Sequence, residues 1–300
     1  MKKIASHGGS FHADDALGIS MLRALYPDAE VVRTRDPAVW ATCDALVDVG
    51  GEHDPVRNRF DHHQKGFAER RANGIPYAGS GLVWAAYGAR YVLTMVDWAS
   101  YAEAEIIARM VDEKLIQHAD AVDSGINVPG SMHFNLSGII DTLNSRWYEP
   151  EGDDDLLFAE AVELAGTVLR NLVRAVAAEY AAADRVRNAQ QLAGGRIIVL
   201  DAARLPYDPV VVNELPDCLF VVYPESTGKQ HQVRVVPKVL GKYEARADLP
   251  EAWAGLRDDA LAAATGVKDA VFCHNGRFIC GAGSKAGAIR MAELALEALE

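Results

Sequence analysis

Three clusters of acidic and histidine side chains fall within the first 63 residues, each at or just after a predicted β-strand. The first lies in His7–Asp15, the second is Asp48, and the third is Asp61-His62-His63. Short apolar strands alternate here with helical segments, which favours a parallel sheet covered by helices. Because ligands of open α/β sheets bind at the carboxyl ends of the strands, we expect the three clusters to converge at one edge of that sheet.

The pattern along the chain predicts an α/β protein of two domains, as its length of 300 residues allows. We expect a first domain at 1–188, including an alanine- and leucine-rich helical connector at about 153–188, and a smaller second domain at 189–300. Asn275-Gly276 between two apolar runs predicts a β-hairpin. The expected strands are 3–6, 30–34, 45–49, 196–201, 218–223 and 232–237, and the expected helices run to about 25 and over 79–93, 101–119, 153–187 (one helix or two) and 288–299.

Composition restricts the partners that this chain can have. The formal net charge of −12 gives no general attraction to nucleic acid, so short or small phosphate esters fit better than long polynucleotides. No apolar run reaches the roughly 20 residues of a membrane span, and the amino terminus does not resemble a signal peptide. The four cysteines form no CxxC pair and are expected to be reduced thiols of a cytoplasmic protein. The oligomeric state stays open, and a homo-oligomer is one possibility.

The residue types in the clusters indicate a divalent cation. Carboxylates and imidazoles together suit Mn²⁺, Fe²⁺, Co²⁺ or Zn²⁺ better than Ca²⁺. Two adjacent histidines after an aspartate have no common structural purpose, so Asp61-His62-His63 favours metal binding. The first cluster leaves two readings, a metal loop or a helix start capped by Asp14 and Asp15. Asp48 by itself fits an ordinary turn aspartate better than a ligand.

These clusters carry a resemblance to a known family. In their order along the chain, they and Asp120-x-x-Asp123-x-Gly125 resemble the motifs of the DHH phosphoesterase superfamily. Within it, the chain is similar nearly end to end to the melanocyte-proliferating-gene family of metal-dependent hydrolases and exonucleases. It departs from these patterns at Asp15 (glutamate is common), at Ser124 (asparagine is common) and at His12, where other DHH enzymes have aspartate. Further similar segments are 48–51, 59–64, 80–84, 236–238, 249–258 and 278–281.

The resemblance implies a DHH-type parallel-sheet catalytic domain with a binuclear metal centre. We expect two divalent cations about 3.5–4 Å apart that activate water and stabilise charge on the phosphorus oxygens. Mn²⁺ is favoured, with Mg²⁺, Co²⁺ and Zn²⁺ as alternatives. The expected ligands are a bridging Asp48, then His7 and His12 on one ion and Asp14, His62 and Asp123 on the other, with Asp120 as a further ligand or a partner of one. The expected catalytic residues are Asp48, His62, His63 and Asp61, of which Asp61 orients a histidine.

The second domain is expected to bind the phosphates of the substrate. DHH relatives use a glycine-rich segment there, and Gly281–Gly287 leads into the last predicted helix, where backbone N–H groups can approach an anion. A plain glycine-rich turn before that helix is the alternative. Guanidinium groups match phosphate, although each arginine alone is more often a solvated charge. The expected substrate-binding residues are Arg246, Arg257, His274, Arg277, Gly281, Gly283, Ser284 and Lys285.

The function that the resemblance implies is hydrolysis of a phosphodiester, as a 3′→5′ exonuclease on RNA or short oligonucleotides. A second reading is a hydrolase of a small nucleotide, pyrophosphate or polyphosphate, which the acidic charge mildly favours. A third is a metal-dependent nucleotide or RNA binder without catalysis. The complete set of expected ligands argues against this third reading.

Overall fold

The computed structural model describes residues 1–126, 135–148 and 153–300. They form two compact units, Met1–Ala177 and Ala178–Glu300. Each unit combines α-helices with a sheet that contains parallel strands, which confirms the predicted α/β class. The predicted domain boundary at 188/189 stays a prediction. Within the ranges described, no helix is both long and apolar enough to cross a bilayer.

The elements of the first unit follow the predicted pattern closely. The strands are β1 (Lys3–Ser6), β2 (Glu30–Arg33), β3 (Ala45–Val47), β4 (His53–Asp54) and β5 (Arg59–Phe60). The helices are α1 (Ala13–Leu25), α2 (Pro37–Trp40), α3 (Gly79–Leu93), α4 (Tyr101–Val111), α5 (Gln117–Asp123) and α6 (Leu136–Asp141). A π-helical turn, Asp112–Ile116, joins α4 to α5 inside the segment predicted as one helix. Helix α7 (Asp154–Arg187) is continuous and contains the boundary between the units.

The first sheet has the strand order β2-β1-β3-β5-β4, and its pairs are parallel except that of β4 with β5. Ala5 lies opposite Leu46, and Val47 lies opposite Phe60. The residues that follow β1, β3 and β5 therefore lie side by side at one edge. They are the first members of the three clusters that the sequence singles out.

Close packing of α1 fixes the helix that carries two of the acids. A Cβ atom on Gly18 would lie 2.7 Å from Cγ1 of Val47 and 3.5 Å from Cγ2 of Val83. Glycine there lets α1 lie directly against β3 and α3. Leu17 and Phe60 are fully buried beside this contact. Truncation of a side chain such as Phe60 to alanine costs about 3–5 kcal/mol, so the edge of the sheet is well supported.

The second unit is built on the sheet β10-β11-β9-β8-β7-β6. Its strands are β6 (Gln190–Leu192), β7 (Ile197–Val199), β8 (Phe220–Pro224), β9 (His231–Val235), β10 (Ala270–Cys273) and β11 (Ile279–Ala282), and its helices are α8 (Asp208–Glu214), α9 (Asp258–Thr265) and α10 (Lys285–Glu297). Strands β10 and β11 form the predicted hairpin. Helix α10 begins three residues before the predicted start, because the Ser284 hydroxyl accepts a hydrogen bond from the Gly287 amide at 3.0 Å. The four cysteines are buried free thiols, as predicted.

Candidate metal centre

Asp48 lies at the centre of the clustered side chains and is 4 % exposed. Its Oδ2 is 3.4 Å from Nε2 of His7, and its Oδ1 is 3.2 Å from Nε2 of His62. The backbone of Asp48 has a φ of +55° and donates to the Phe60 carbonyl at 2.9 Å. Left-handed residues other than glycine are uncommon and concentrate at functional sites. This conformation places the Asp48 carboxylate between two imidazoles that come from different strands.

Helix α1 contributes Asp15 as well as Asp14 to the centre. Nε2 of His7 lies 3.1 Å from Oδ2 of Asp15, which is buried. The other oxygen of Asp15 accepts a hydrogen bond from the His12 amide at 3.0 Å. Asp15 is thus a helix cap, as one reading of the sequence holds, and also a partner of His7. Asp15 is not among the ligands expected from the sequence. Its only sequence signal is its place beside Asp14, three residues after His12.

A second group at the same edge consists of His12, Asp14 and Asp123, whose candidate ligand atoms all lie within 4.8 Å of one another. Nδ1 of His12 is 3.8 Å from Oδ1 of Asp123. Oδ2 of Asp123 is 3.1 Å from Nε2 of His62. His62 therefore contacts both Asp48 and Asp123. It joins the group around Asp48 to the group of His12, Asp14 and Asp123. His12 was expected to bind the same ion as His7. In the structure, the ligand atoms of His12 are grouped instead with those of Asp14 and Asp123.

Asp61 holds His63 rather than His62. Its Oδ1 lies 2.8 Å from Nδ1 of His63 and accepts from the His63 amide at 3.0 Å. Its Oδ2 accepts from the Gly51 amide at 2.5 Å. The candidate ligand atoms of His63, Asp48 and His62 lie within 4.8 Å of one another, yet the side chain of His63 is 61 % exposed. Its Nε2 is the nitrogen that Asp61 leaves available.

Asp14 gives the clearest indication that the centre is built for a positive charge. It is 1 % exposed, its Oδ2 accepts from the Gly79 amide at 3.2 Å, and its Oδ1 has no hydrogen-bond partner among the residues described. Burial raises the pKa of Asp14, and the carboxylates of Asp48 and Asp123 raise it further. A buried carboxylate among other carboxylates requires a cation or a proton. The set of carboxylate and imidazole donors around Asp14 fits a divalent transition metal.

His7 and His62 have raised pKa values when no cation is bound. Burial lowers the pKa of His7, but hydrogen bonds with Asp15 and Asp48 outweigh it and raise the pKa to about 10. Burial also lowers the pKa of His62, and Asp123 and Asp48 likewise raise it to about 10. Burial raises the pKa of Asp48, but bonds from His62 and His7 lower it to about 2. A cation that binds through these imidazoles must therefore displace protons.

Asp120 has partners outside the two groups. Its Oδ1 accepts from the Ser80 hydroxyl at 2.6 Å and from the Gly81 amide at 3.0 Å, and its Oδ2 is 2.8 Å from Nη2 of Arg71. A Cβ atom on Gly81 would lie 1.9 Å from Oδ2 of Asp120, so the close approach requires glycine. Asp120 is one helical turn before Asp123. Its bonds fix the helix that presents Asp123.

Arg71 extends this network and was not found by sequence reasoning. Its side chain is 6 % exposed, and its Nε and Nη2 lie 2.7 and 2.6 Å from the two oxygens of Asp112 in the π-helical turn. The guanidinium also lies 4.2 Å from the ring centroid of Tyr77. Nothing in the sequence distinguishes Arg71 from a surface arginine. Its role becomes apparent only when α5 and the loop that precedes α3 are seen together.

Comparison with known proteins supports the resemblance carried by these motifs. The family model described as "MYG1_exonuc: Uncharacterised protein family (UPF0160)" matches residues 3–296. The chain belongs to the MYG1 exonuclease family. Human "MYG1 exonuclease" is 32 % identical, and the match covers 98 % of this chain and 85 % of the human protein. "MYG1 protein C27H6.8" of Caenorhabditis elegans and "MYG1 protein YER156C" of Saccharomyces cerevisiae are each 32 % identical over 98 % of this chain, and the matches cover 95 % and 96 % of those proteins. The predicted family is confirmed.

The candidate substrate-binding residues of this MYG1-family chain lie in the second unit and do not form one buried group. Arg246 donates to the carbonyls of Leu215, Cys218 and Val212 at 2.7, 2.9 and 2.8 Å, which ties it to the end of α8. Arg277 pairs with Asp248 at 2.9 Å. Of the candidates outside the glycine-rich segment, Arg257 and His274 are exposed.

The glycine-rich segment before α10 is already occupied by a carboxylate of the chain. A Cβ atom on Gly287 would lie 2.4 Å from Oδ1 of Asp269, and the Gly283 amide donates to the Asp269 carbonyl at 2.8 Å. Gly281 is buried within β11, whereas Lys285 is exposed at the start of α10. A negative charge at a helix N-terminus satisfies the partial positive charge there. The attraction of this segment for a phosphate is therefore reduced.

Proposed function

We propose that this chain is a metal-dependent phosphodiester hydrolase of the DHH type. In this proposal it acts as a 3′→5′ exonuclease on RNA or short oligonucleotides and uses two divalent cations, with Mn²⁺ favoured. The observation that carries the proposal is the buried carboxylate of Asp14, which lies among further carboxylates and imidazoles without a hydrogen-bond partner for its Oδ1 in the part of the chain described. The mammalian relatives are named exonucleases, which supports the choice of reaction.

The distances support an assignment of ligands to two sides of the centre. One side consists of His7, Asp15 and Asp48, joined by contacts of 3.1 and 3.4 Å. The other side consists of His12, Asp14 and Asp123. Of the remaining expected ligands, His62 contacts both Asp48 and Asp123 and would hold the sides together. Asp120 is assigned a positioning role, because its carboxylate is engaged by Arg71 and Ser80.

His63, whose side chain is exposed, is proposed to transfer a proton in the reaction. Divalent cations at this centre would supply an activated water and stabilise negative charge on the phosphate oxygens. Asp61 accepts a hydrogen bond from Nδ1 of His63, which fixes the tautomer and leaves Nε2 as the atom that exchanges protons with solvent or substrate. We assign to Nε2 the donation of a proton to the departing oxygen. The carboxylate of Asp48 would help to hold the cations on both sides of the centre.

The second unit is assigned the contacts with the rest of the substrate. Arg257, His274 and Lys285 are exposed and remain candidates. Arg246 is assigned a structural role instead, since its guanidinium already donates to three carbonyls. The net charge of −12 opposes long polyanions and supports a second candidate function, the hydrolysis of a small nucleotide or pyrophosphate.

An assay of the purified full chain tests these candidates together. Single-stranded RNA labelled at its 5′ end, a dinucleotide, and pyrophosphate are each incubated with Mn²⁺, with Mn²⁺ and excess chelator, and with the Asp48→Asn variant. The proposal predicts nucleoside monophosphates released from the 3′ end by the wild type alone. Cleavage of pyrophosphate only would establish the second candidate. Saturable binding of RNA without any turnover would contradict both.

A further inference from the structure

Arg35 is an exposed arginine at the edge of the metal centre that the sequence analysis did not select. It follows β2, two residues after the last strand residue, Arg33. Its Nε donates to the Gly8 carbonyl at 3.3 Å, and its Nη2 lies 3.3 Å from Nδ1 of His7. Nε2 of the same imidazole faces Asp48. The guanidinium is thus separated from the Asp48 carboxylate by one imidazole ring.

The charge of Arg35 has no carboxylate counterpart in the ranges that the structure describes. Its contacts there are with a carbonyl and an imidazole nitrogen. Nδ1 of His7 also lies 3.3 Å from the Gly8 carbonyl, so this nitrogen is shared between the carbonyl and the guanidinium. A guanidinium has five N–H donors, more than its contacts with Gly8 and His7 engage. N–H groups of Arg35 therefore remain available for an anion.

Arg33, at the end of β2, is an arginine with a structural role in the same segment. The side chain of Arg33 is 3 % exposed, and its guanidinium lies 5.5 and 4.7 Å from the ring centroids of Phe11 and Phe158. It donates to the Asp154 carbonyl at 3.0 Å and to the Asp155 carboxylate at 3.3 Å. Packing against two rings and a carboxylate counter-charge explain the buried position of Arg33. Neither accounts for the exposed guanidinium of Arg35.

We propose that Arg35 is a substrate-binding residue whose guanidinium contacts a phosphate oxygen of the ester held at the metal centre. Guanidinium N–H groups in a planar fork match phosphate oxygens, and charge-assisted bonds of this kind are stronger than neutral ones. Arg35 also supplies a positive charge beside the buried carboxylates of the centre. This inference rests on the proposed function and deepens it, because it adds to the first unit a phosphate contact that the expected ligands do not provide.

The test compares Arg35→Ala, Arg35→Lys and the control Arg70→Ala. Arg70 is also an exposed arginine of the first unit and donates to a single carbonyl, that of Gly74 at 3.0 Å. Titration calorimetry measures the binding of Mn²⁺, and then the binding of AMP and of adenosine to the Mn²⁺-loaded chain. We expect Arg35→Ala to weaken AMP binding about 10- to 100-fold, the loss of a hydrogen bond to a charged group. Mn²⁺ binding by Arg35→Ala should stay unchanged. The AMP affinity of Arg35→Lys should fall between those of Arg35→Ala and the wild type. Arg70→Ala should match the wild type.

The same titrations separate the possible failures. Equal weakening of Mn²⁺ and AMP binding in Arg35→Ala would mean that Arg35 acts only by holding His7, and it would overturn the inference. Unchanged AMP binding, or no AMP binding by the wild type, would overturn it as well. Arg35-dependent AMP binding in a chain that hydrolyses none of the esters tested would instead contradict the proposed function and leave the phosphate contact standing.

Discussion

The two units differ in where their charged candidate residues lie: those of the first unit are largely buried, and most of those of the second are at the surface. At the carboxyl edge of the first sheet, Asp14, Asp15 and Asp48 are buried together. In the second unit, the candidate cations are exposed, paired at the surface or bonded to carbonyls, as with Arg246. Removal of several like charges from water costs several kcal/mol for each charge unless a counter-charge is present. Buried carboxylates therefore identify a site far more strongly than exposed basic residues do.

The largest expected effect contrasts one residue from each unit. Asp48→Asn should lower metal-dependent hydrolysis by about 10³-fold or more, since it removes the charge that joins the two sides of the centre. Arg257→Ala, an exposed residue of the second unit, should lower kcat/KM by less than about tenfold, through KM. Steady-state kinetics with Mn²⁺ measure both variants, and circular dichroism confirms folding. Equal losses in the two variants would erase the contrast.

The next effect concerns stability. Arg71→Met leaves the buried carboxylate of Asp120 and the partly exposed carboxylate of Asp112 without their cation. It should lower the free energy of unfolding by about 3–5 kcal/mol. The matched change in the second unit, Arg277→Met, breaks the exposed pair with Asp248 and should cost less than about 1 kcal/mol. Urea unfolding followed by tryptophan fluorescence measures the difference. A loss below about 1 kcal/mol in Arg71→Met would show that the network is not structurally important.

Metal affinity should depend on pH. His7 and His62 have pKa values of about 10 in the metal-free chain, so both carry a proton at neutral pH. A cation displaces these protons, so its affinity should rise with pH, by up to about 100-fold per unit between about pH 6 and 8 if both are released. Calorimetry in buffers of different ionisation enthalpy counts the protons. His274→Gln in the second unit should leave the slope unchanged, and an affinity independent of pH would contradict the assignment of His7 and His62.

The smallest effect separates structural from substrate roles within the second unit. Arg246→Met removes donors to three carbonyls and should destabilise the chain by about 1–3 kcal/mol. It should leave KM unchanged, whereas Arg257→Ala should raise KM. Urea unfolding and steady-state kinetics on the same two variants provide the comparison. A raised KM in Arg246→Met would return Arg246 to the substrate-binding residues.

Much of the first unit is predictable because its pattern is local. Apolar strands, glycine breaks and a helix with acidic first-turn residues determine β1, β3 and α1, and parallel pairing then aligns the residues that follow the strands. The sequence alone therefore places the clusters at His7, Asp48 and Asp61 at one edge of the sheet. The hairpin at Asn275-Gly276 is local in the same sense.

What could not be predicted depends on contacts between distant segments. Asp15 resembles any helix cap until His7 is seen 3.1 Å away. Arg71 and Arg35 have no sequence signal, because an arginine of a loop is usually a solvated charge. Arg246 is the converse case, since a guanidinium expected to bind phosphate already donates to carbonyls of its own unit. The sequence identifies side chains that could bind a metal or a phosphate. Only the fold shows which of them are not already bonded to the rest of the chain.

A titration of Mn²⁺ into the Asp14→Asn variant tests the central claim most directly. The substitution keeps the shape of the Asp14 side chain and removes its buried charge, so the metal-free variant should be at least as stable as the metal-free wild type. We expect the wild type to bind about two Mn²⁺ per chain and the variant to lose one of them or to bind it at least about 10-fold more weakly. Unchanged Mn²⁺ binding in the variant, or none by the wild type, would contradict the account.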